Sequence, residues 1–116
     1  MVTEIKNGPI NVDTPEGLSL GFTRDKFSGY LYKETKDGKN IIYISLIESK
    51  QPGRGDFEKL TETIRTAGYW VYVPNAMTQM ESILKRWGYE RIYQKDDYTG
   101  CLVEIYIKAP YETGKE

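Results

Sequence analysis

The sequence predicts an α/β (α+β) domain: a mixed, mostly antiparallel central sheet with one βαβ unit and about two helices. Three observations predict it. Two apolar stripes at helical spacing, Phe57-Leu60-Ile64-Ala67 and Met80-Ile83-Leu84-Trp87, each stop at a glycine, Gly68 and Gly88. Short runs rich in β-branched and aromatic residues lie before, between and after these stripes. The order strand, glycine turn, helix, strand in the middle of the chain demands a parallel pair with a right-handed crossover, whereas the tight turns on either side demand antiparallel hairpins.

Taken in order, residues 1–16 carry Gly8, Pro9 and Pro15 among polar side chains and read as a loose lead-in with one short strand over 9–12. Residues 17–24 alternate Leu18, Leu20 and Phe22, the period of a strand. A second strand over 26–35 carries Tyr30, Leu31 and Tyr32, and Asp37-Gly38 turns the chain into a hairpin. Residues 40–49 are the most apolar stretch, which suits a central strand buried on both faces. A turn-forming loop over 50–56 leads into a helix over 57–67. Residues 69–73 form a short strand that Pro74 ends, and Asn75 or Thr78 caps a second helix running to about Trp87. Strands over 89–94 and 101–108 flank a turn, and 109–116 is a polar tail. The chain of 116 residues is one compact domain with no repeat, linker or low-complexity segment.

Composition narrows the chemistry. Sixteen basic and seventeen acidic residues give a net charge of -1, which disfavours a nucleic-acid partner. Histidine is absent, so Ser-His-Asp triads, Cys-His dyads and His-ligated metal are all excluded. Cys101 is the single cysteine; it permits no internal disulfide and no cysteine zinc site, and its strand-like setting suggests a buried apolar thiol. No metal is expected. No run reaches the ~18 apolar residues of a membrane span, and the N-terminal residues lack the apolar centre of a signal peptide. A cytoplasmic protein without a membrane partner is the expectation.

The segment Ile47-Glu48-Ser49-Lys50-Gln51-Pro52-Gly53-Arg54-Gly55-Asp56-Phe57 carries the candidate chemistry. A central strand ends, glycines turn the chain and a helix begins. First-turn amides of a helix have no intrahelical acceptor, and with the helix dipole they form an anion site. Gly53 and Gly55 let the backbone approach a phosphate, and Arg54 adds charge. The loop lacks the Gly-Lys-Ser/Thr of a Walker loop and the third glycine of a dinucleotide fingerprint. A glycine turn needed only for chain geometry is the competing reading.

This half of the chain resembles the GCN5-related N-acetyltransferase family, in which an apolar strand leads to Arg/Gln-x-x-Gly-x-Gly/Ala at the start of a helix. Aligned on Leu60, Gly53 and Gly55 match, Pro52 takes the Arg/Gln place and Phe57 replaces a small residue; Gly88-Tyr89 matches the family's Gly-Phe pair. The resemblance covers roughly residues 17–108. It implies acetyl-CoA as cofactor, with Gly53, Arg54, Gly55, Asp56 and Phe57 at the phosphates, Ile47 and Glu48 at the acetyl end and Asn75 beside the pantetheine arm, between two strands that splay apart. It also implies direct acetyl transfer to an amine of a small molecule or protein. The family's acidic tyrosine is replaced by Leu84, and its first strand and first two helices are barely represented. Compactness of this kind is similar to that of reduced acetyltransferase-like proteins of bacteriophages.

Acyl transfer to an amine needs a base. Without histidine the candidates are Glu48 directly, or water held by Tyr43 or Ser45; Tyr89, Tyr72 or water are candidates to protonate the leaving thiolate. The competing reading of Glu48 is a solvated strand end. Arg54-Gly55-Asp56 is explained by its place before a helix better than as an adhesion motif. Tyr30, Tyr32 and Tyr43 read as sheet packing or as an aromatic platform. The alternative function is a catalytically degenerate acetyltransferase fold that serves as a binding or structural module, of phage origin. The acceptor amine is not encoded in any motif. A short chain with exposed sheet surface is also a candidate homodimer.

Overall fold

The computed structural model describes residues 5–51 and 53–111; Pro52 and the outer ends of the N-terminal segment and the tail lie outside them. The elements run β1 (Gly8–Asn11), α1 (Pro15–Leu20), β2 (Phe27–Lys36), β3 (Lys39–Ser49), α2 (Asp56–Thr66), β4 (Trp70–Pro74), α3 (Thr78–Arg86), β5 (Glu90–Lys95) and β6 (Leu102–Lys108). The six strands form one sheet in the order β1-β2-β3-β4-β6-β5. Only β3 and β4 pair in parallel, joined through α2 as the expected βαβ unit; the other four pairs are antiparallel. The α+β class with a mixed, mostly antiparallel sheet is therefore the observed one.

The helices share one face of the sheet. Leu20, Leu60, Ile64 and Leu84, one or two from each helix, pack with Ile10, Leu31, Ile42, Ile44, Val71, Val73 and Tyr106 from the strands in the main core. The opposite face holds a smaller cluster built from strands alone, centred on Ile41, Tyr72 and Ile105. Ile41 and Ile42 bear out the expectation of a strand buried on both sides, but it fails further on, where Ser45 and Glu48 are exposed. At the β2–β3 hairpin Asp37 and Gly38 both take positive φ, 53° and 76°, which matches the twist of the strands they join.

Four expectations are corrected. Residues 17–24 are not a strand: α1 occupies the first half of that stretch, giving three helices among the described residues. The Thr14 hydroxyl accepts from the Gly17 amide at 3.1 Å, Pro15 stands in the first turn, and Gly21 closes the helix in the left-handed region at φ 80°. These capping signals outweigh the alternation of Leu18, Leu20 and Phe22, of which Leu18 is 55% exposed. The described part of the lead-in carries the expected short strand, as β1, but instead of running on loosely it enters α1 at Pro15. Neither Asn75 nor Thr78 caps α3; Met77 takes the N-cap position with no side-chain bond. Cys101 is exposed rather than buried, because the β5–β6 turn extends through Gly100 and β6 starts only at Leu102.

Gly17 is required inside α1. A Cβ there would lie 2.4 Å from the Asn11 carbonyl oxygen, a backbone atom that cannot step aside. Gly17→Ala is expected to lower stability by about 1–3 kcal/mol, the usual cost of overpacking, measured by urea unfolding. An unchanged midpoint would show that α1 is free to move off β1.

Candidate functional site

The site is built where β3 and β4 part. Their ladder consists of Ile41 with Trp70, Ile42 with Val71 and Tyr43 with Tyr72, and it stops there. Beyond it β3 continues to Ser49 on its pairing with β2, while β4 runs to Pro74 paired with β6. Two neighbouring strands have thus exchanged their mutual hydrogen bonds for an opening between their carboxyl ends.

A bulge in β3 prepares this opening. Tyr32 lies opposite Tyr43 and Tyr30 opposite Leu46, so Ile44 and Ser45 together face Leu31 alone. One extra residue reverses the alternation of faces. Ile42 and Ile44 point into the helix-side core before the bulge; after it Ile47 packs against that same core, and Ile47 and Ser49 line the groove. Glu48, between them, is turned to the opposite face and is exposed.

Two adjoining cavities fill the space between the parted strands, α2 and α3. One, of about 290 Å³, is bounded by Ile47, Ser49, Gly53, Gly55, Phe57 and Trp87 among others. The other, of about 370 Å³, reaches from Ile44 and Ser45 to Pro74, Asn75 and Met77. They share Ile47, Phe57, Met80 and Ile83, so they form one apolar groove with polar ends. At the turn end, Gly53 and Gly55 hold φ of 91° and 83°, and a Cβ on either would meet nothing within 4 Å. Gly55 is the N-cap of α2 and supplies no side chain, and the first helical bond runs from the Lys59 amide to the Gly55 carbonyl. Among the described residues this N-cap has no side-chain cap bond. Asp56 and Glu58 place carboxylates in the same turn, and one oxygen of Asp56 is buried without a hydrogen-bond partner.

The structure brings together some of the residues expected from sequence and separates others. Ile47, Gly53, Gly55, Asp56 and Phe57 meet at the first cavity, and Asn75 stands on the second, its amide bonded to the Glu104 carbonyl at 3.0 Å. Arg54 is exposed beside them, its guanidinium donating to the Gln51 side chain. Tyr43 lies on the opposite face of the sheet: its hydroxyl donates to Glu34 at 2.8 Å and its ring meets Tyr72 edge-on. Burial, reinforced by the Glu34 bond, holds that hydroxyl protonated far above the usual tyrosine range. Tyr72 shares this face, also raised by burial. Tyr89 sits inside the core, next to Thr61 and Arg65 of α2 and under Lys108, away from the groove. The walls contributed by α3 — Met80, Ile83 and Trp87 — are legible in sequence only as a helix stripe; nothing in their spacing marks them as lining a site.

Tyr89 gives a pH test of this arrangement. Burial pushes its hydroxyl up to about 12, with the Thr61 hydroxyl and the Arg65 charge pulling weakly the other way. The unfolded chain releases that proton near pH 10 and the folded chain does not. Stability from this group is therefore full below pH 10 and falls between pH 10 and about 12, by up to about 1.4 kcal/mol per pH unit. Tyr89→Phe is expected to change stability at pH 7 by less than about 1 kcal/mol and to flatten the alkaline slope, read by thermal unfolding from pH 8 to 12.

Comparisons with protein-family models, with curated proteins and with solved structures return no match for this chain. Among the described residues no helix is long and apolar enough to cross a membrane.

Proposed function

We propose that the chain binds acetyl-CoA in this groove and passes the acetyl group directly to an amine, in the cytoplasm. The observation that carries the reading is the parting of β3 and β4 after Tyr43 and Tyr72, with an uncapped glycine turn at one end of the opening. The residues suit such a ligand. The amides around Gly53, Gly55, Asp56 and Phe57 take the diphosphate, with Arg54 as the nearby cation. Ile47, Met80 and Ile83 shelter the arm from water, and the unpaired edges of the two strands offer donors and acceptors to its amide groups. Bound acetyl-CoA supplies an activated thioester. Glu48, exposed on the face opposite the groove, takes the proton of an amine arriving from that side, directly or through water. As the amine nitrogen bonds to the acetyl carbon the carbon–sulfur bond breaks, and the released CoA thiolate takes its proton from water; Tyr43 and Tyr89 stand apart from the groove and are assigned no proton. The exposed thiol of Cys101 suits a reducing compartment.

A second reading keeps the fold and drops the chemistry: a binding or structural module, of phage origin. The carboxylates of Asp56 and Glu58 in the phosphate turn favour it, because like charge opposes a diphosphate there. Isothermal titration with acetyl-CoA, followed by mass spectrometry of an amine panel, separates the two. Micromolar binding with a mass gain of one acetyl group on an amine supports transfer. Binding without transfer supports a ligand-binding module, and no binding by a folded chain leaves a scaffold.

A further inference from the structure

The groove is made of two adjoining cavities. The wall between its two cavities includes Phe57, whose ring stacks on Trp87 with centroids 5.9 Å apart and planes 25° from parallel. Phe57 is the second residue of α2 and lines both the cavity at the glycine turn and the cavity at the parted strands, as do Ile47, Met80 and Ile83. Both rings are partly buried and pack against the main core rather than within it. A ligand with its anionic end on the turn and its reactive end between the strands passes along these four side chains, of which Phe57 is the aromatic one. From that placement we infer that Phe57, held by Trp87, is the residue that controls passage along the groove. With the ring stacked, the cavities are separate chambers; with the ring swung aside, they join into one channel that accepts a long phosphorylated arm. The inference rests on the acetyl-CoA reading and adds to it a specificity-determining side chain.

The physical requirement is small. Rotation about χ1 moves the ring between staggered positions. Breaking an aromatic stack of this kind shifts the population by a factor of roughly two to ten, and apparent affinity falls by the fraction of molecules in which the channel is open. The stack therefore weakens binding of a long ligand without abolishing it. It also excludes loose apolar molecules from the full length of the groove.

Acetyl-CoA titrated by calorimetry into the wild-type, Phe57→Ala and Phe57→Leu chains tests this. The alanine variant is expected to bind roughly two- to tenfold more tightly than wild type, with the leucine variant between them. In a Trp70→Phe background Trp87 is the sole tryptophan, and its emission is expected to shift as acetyl-CoA enters and the stack opens. Should the alanine variant fail to fold, the leucine variant and the emission change carry the test. If the wild type binds while the folded variants bind no tighter and the emission stays fixed, the gate is overturned and the acetyl-CoA reading stands. If the variants bind more weakly, Phe57 is a ligand contact and the gate is again overturned. If no chain binds, the acetyl-CoA reading falls and the gate with it.

Discussion

Glu48→Gln is expected to slow acetyl transfer by about a hundredfold or more while leaving acetyl-CoA affinity within a factor of about two. The amide keeps the size and polarity of the side chain and removes only its capacity to accept a proton. Glu48 is on the far side of β3 from the groove, so its loss does not touch the walls that hold the ligand. That separation is a consequence of the bulge at Ile44 and Ser45: without the extra residue Glu48 would point into the groove and Ile47 away from it. Initial rates with a fixed amine, together with a binding isotherm, check both halves. A variant that loses binding and rate together would place Glu48 in the groove; a variant with full rate would remove it from the chemistry.

The second large effect is structural. Tyr106 is fully buried on β6, in the core that ties α3 to the sheet, and its hydroxyl reaches Glu81 of α3 at 3.4 Å. Tyr106→Ala removes a whole ring from a closed site and is expected to cost about 3–5 kcal/mol. Tyr106→Phe removes only a long, weak hydrogen bond and is expected to cost less than about 1 kcal/mol. Since Met80, Ile83 and Trp87 reach the groove from α3, the alanine variant should also lose ligand affinity in proportion to the loosening of that helix. Urea unfolding of the two variants side by side separates packing from hydrogen bonding. Equal costs would mean that the hydroxyl, not the ring, fastens α3.

What was legible in the sequence follows from which signals act locally. The stripes Phe57-Leu60-Ile64 and Ile83-Leu84-Trp87 mark α2 and α3 because helical spacing and a terminal glycine are both written within a few residues. Asp37-Gly38 marks its turn for the same reason, since only residues tolerant of positive φ serve there. Residues 17–24 misled because a short amphipathic helix of six residues offers barely two turns of periodicity, and the alternation of three apolar residues imitates a strand. The better clue was Thr14-Pro15-Glu16, a helix start.

For the site, the glycine turn was legible because a strand, two glycines and a helix in succession leave few other geometries, whereas Ile47 entered only through the family resemblance. The face of Glu48 was not legible, because a bulge leaves no mark in a strand-like run yet reverses every side chain beyond it, which puts Glu48 on the same face as Tyr43. Tyr89 was placed by its position after Gly88, but the chain turns it into the core beside Thr61, a tertiary outcome that spacing cannot encode. Cys101 stood at the edge of a strand-like run, and the half-turn that exposes it depends on Asp96 bonding Thr99 at 2.8 Å rather than on any property of the thiol.

The most direct test of the groove as a ligand site is amide chemical-shift mapping of the isotope-labelled chain during titration with acetyl-CoA. The expected result is a set of saturating shifts at Gly53, Gly55, Asp56 and Phe57, with a second group at Ile47 and Asn75, and little change across β1 and α1. Shifts that are absent, or that gather on the strand-only face around Ile41, Tyr72 and Ile105, would contradict the account.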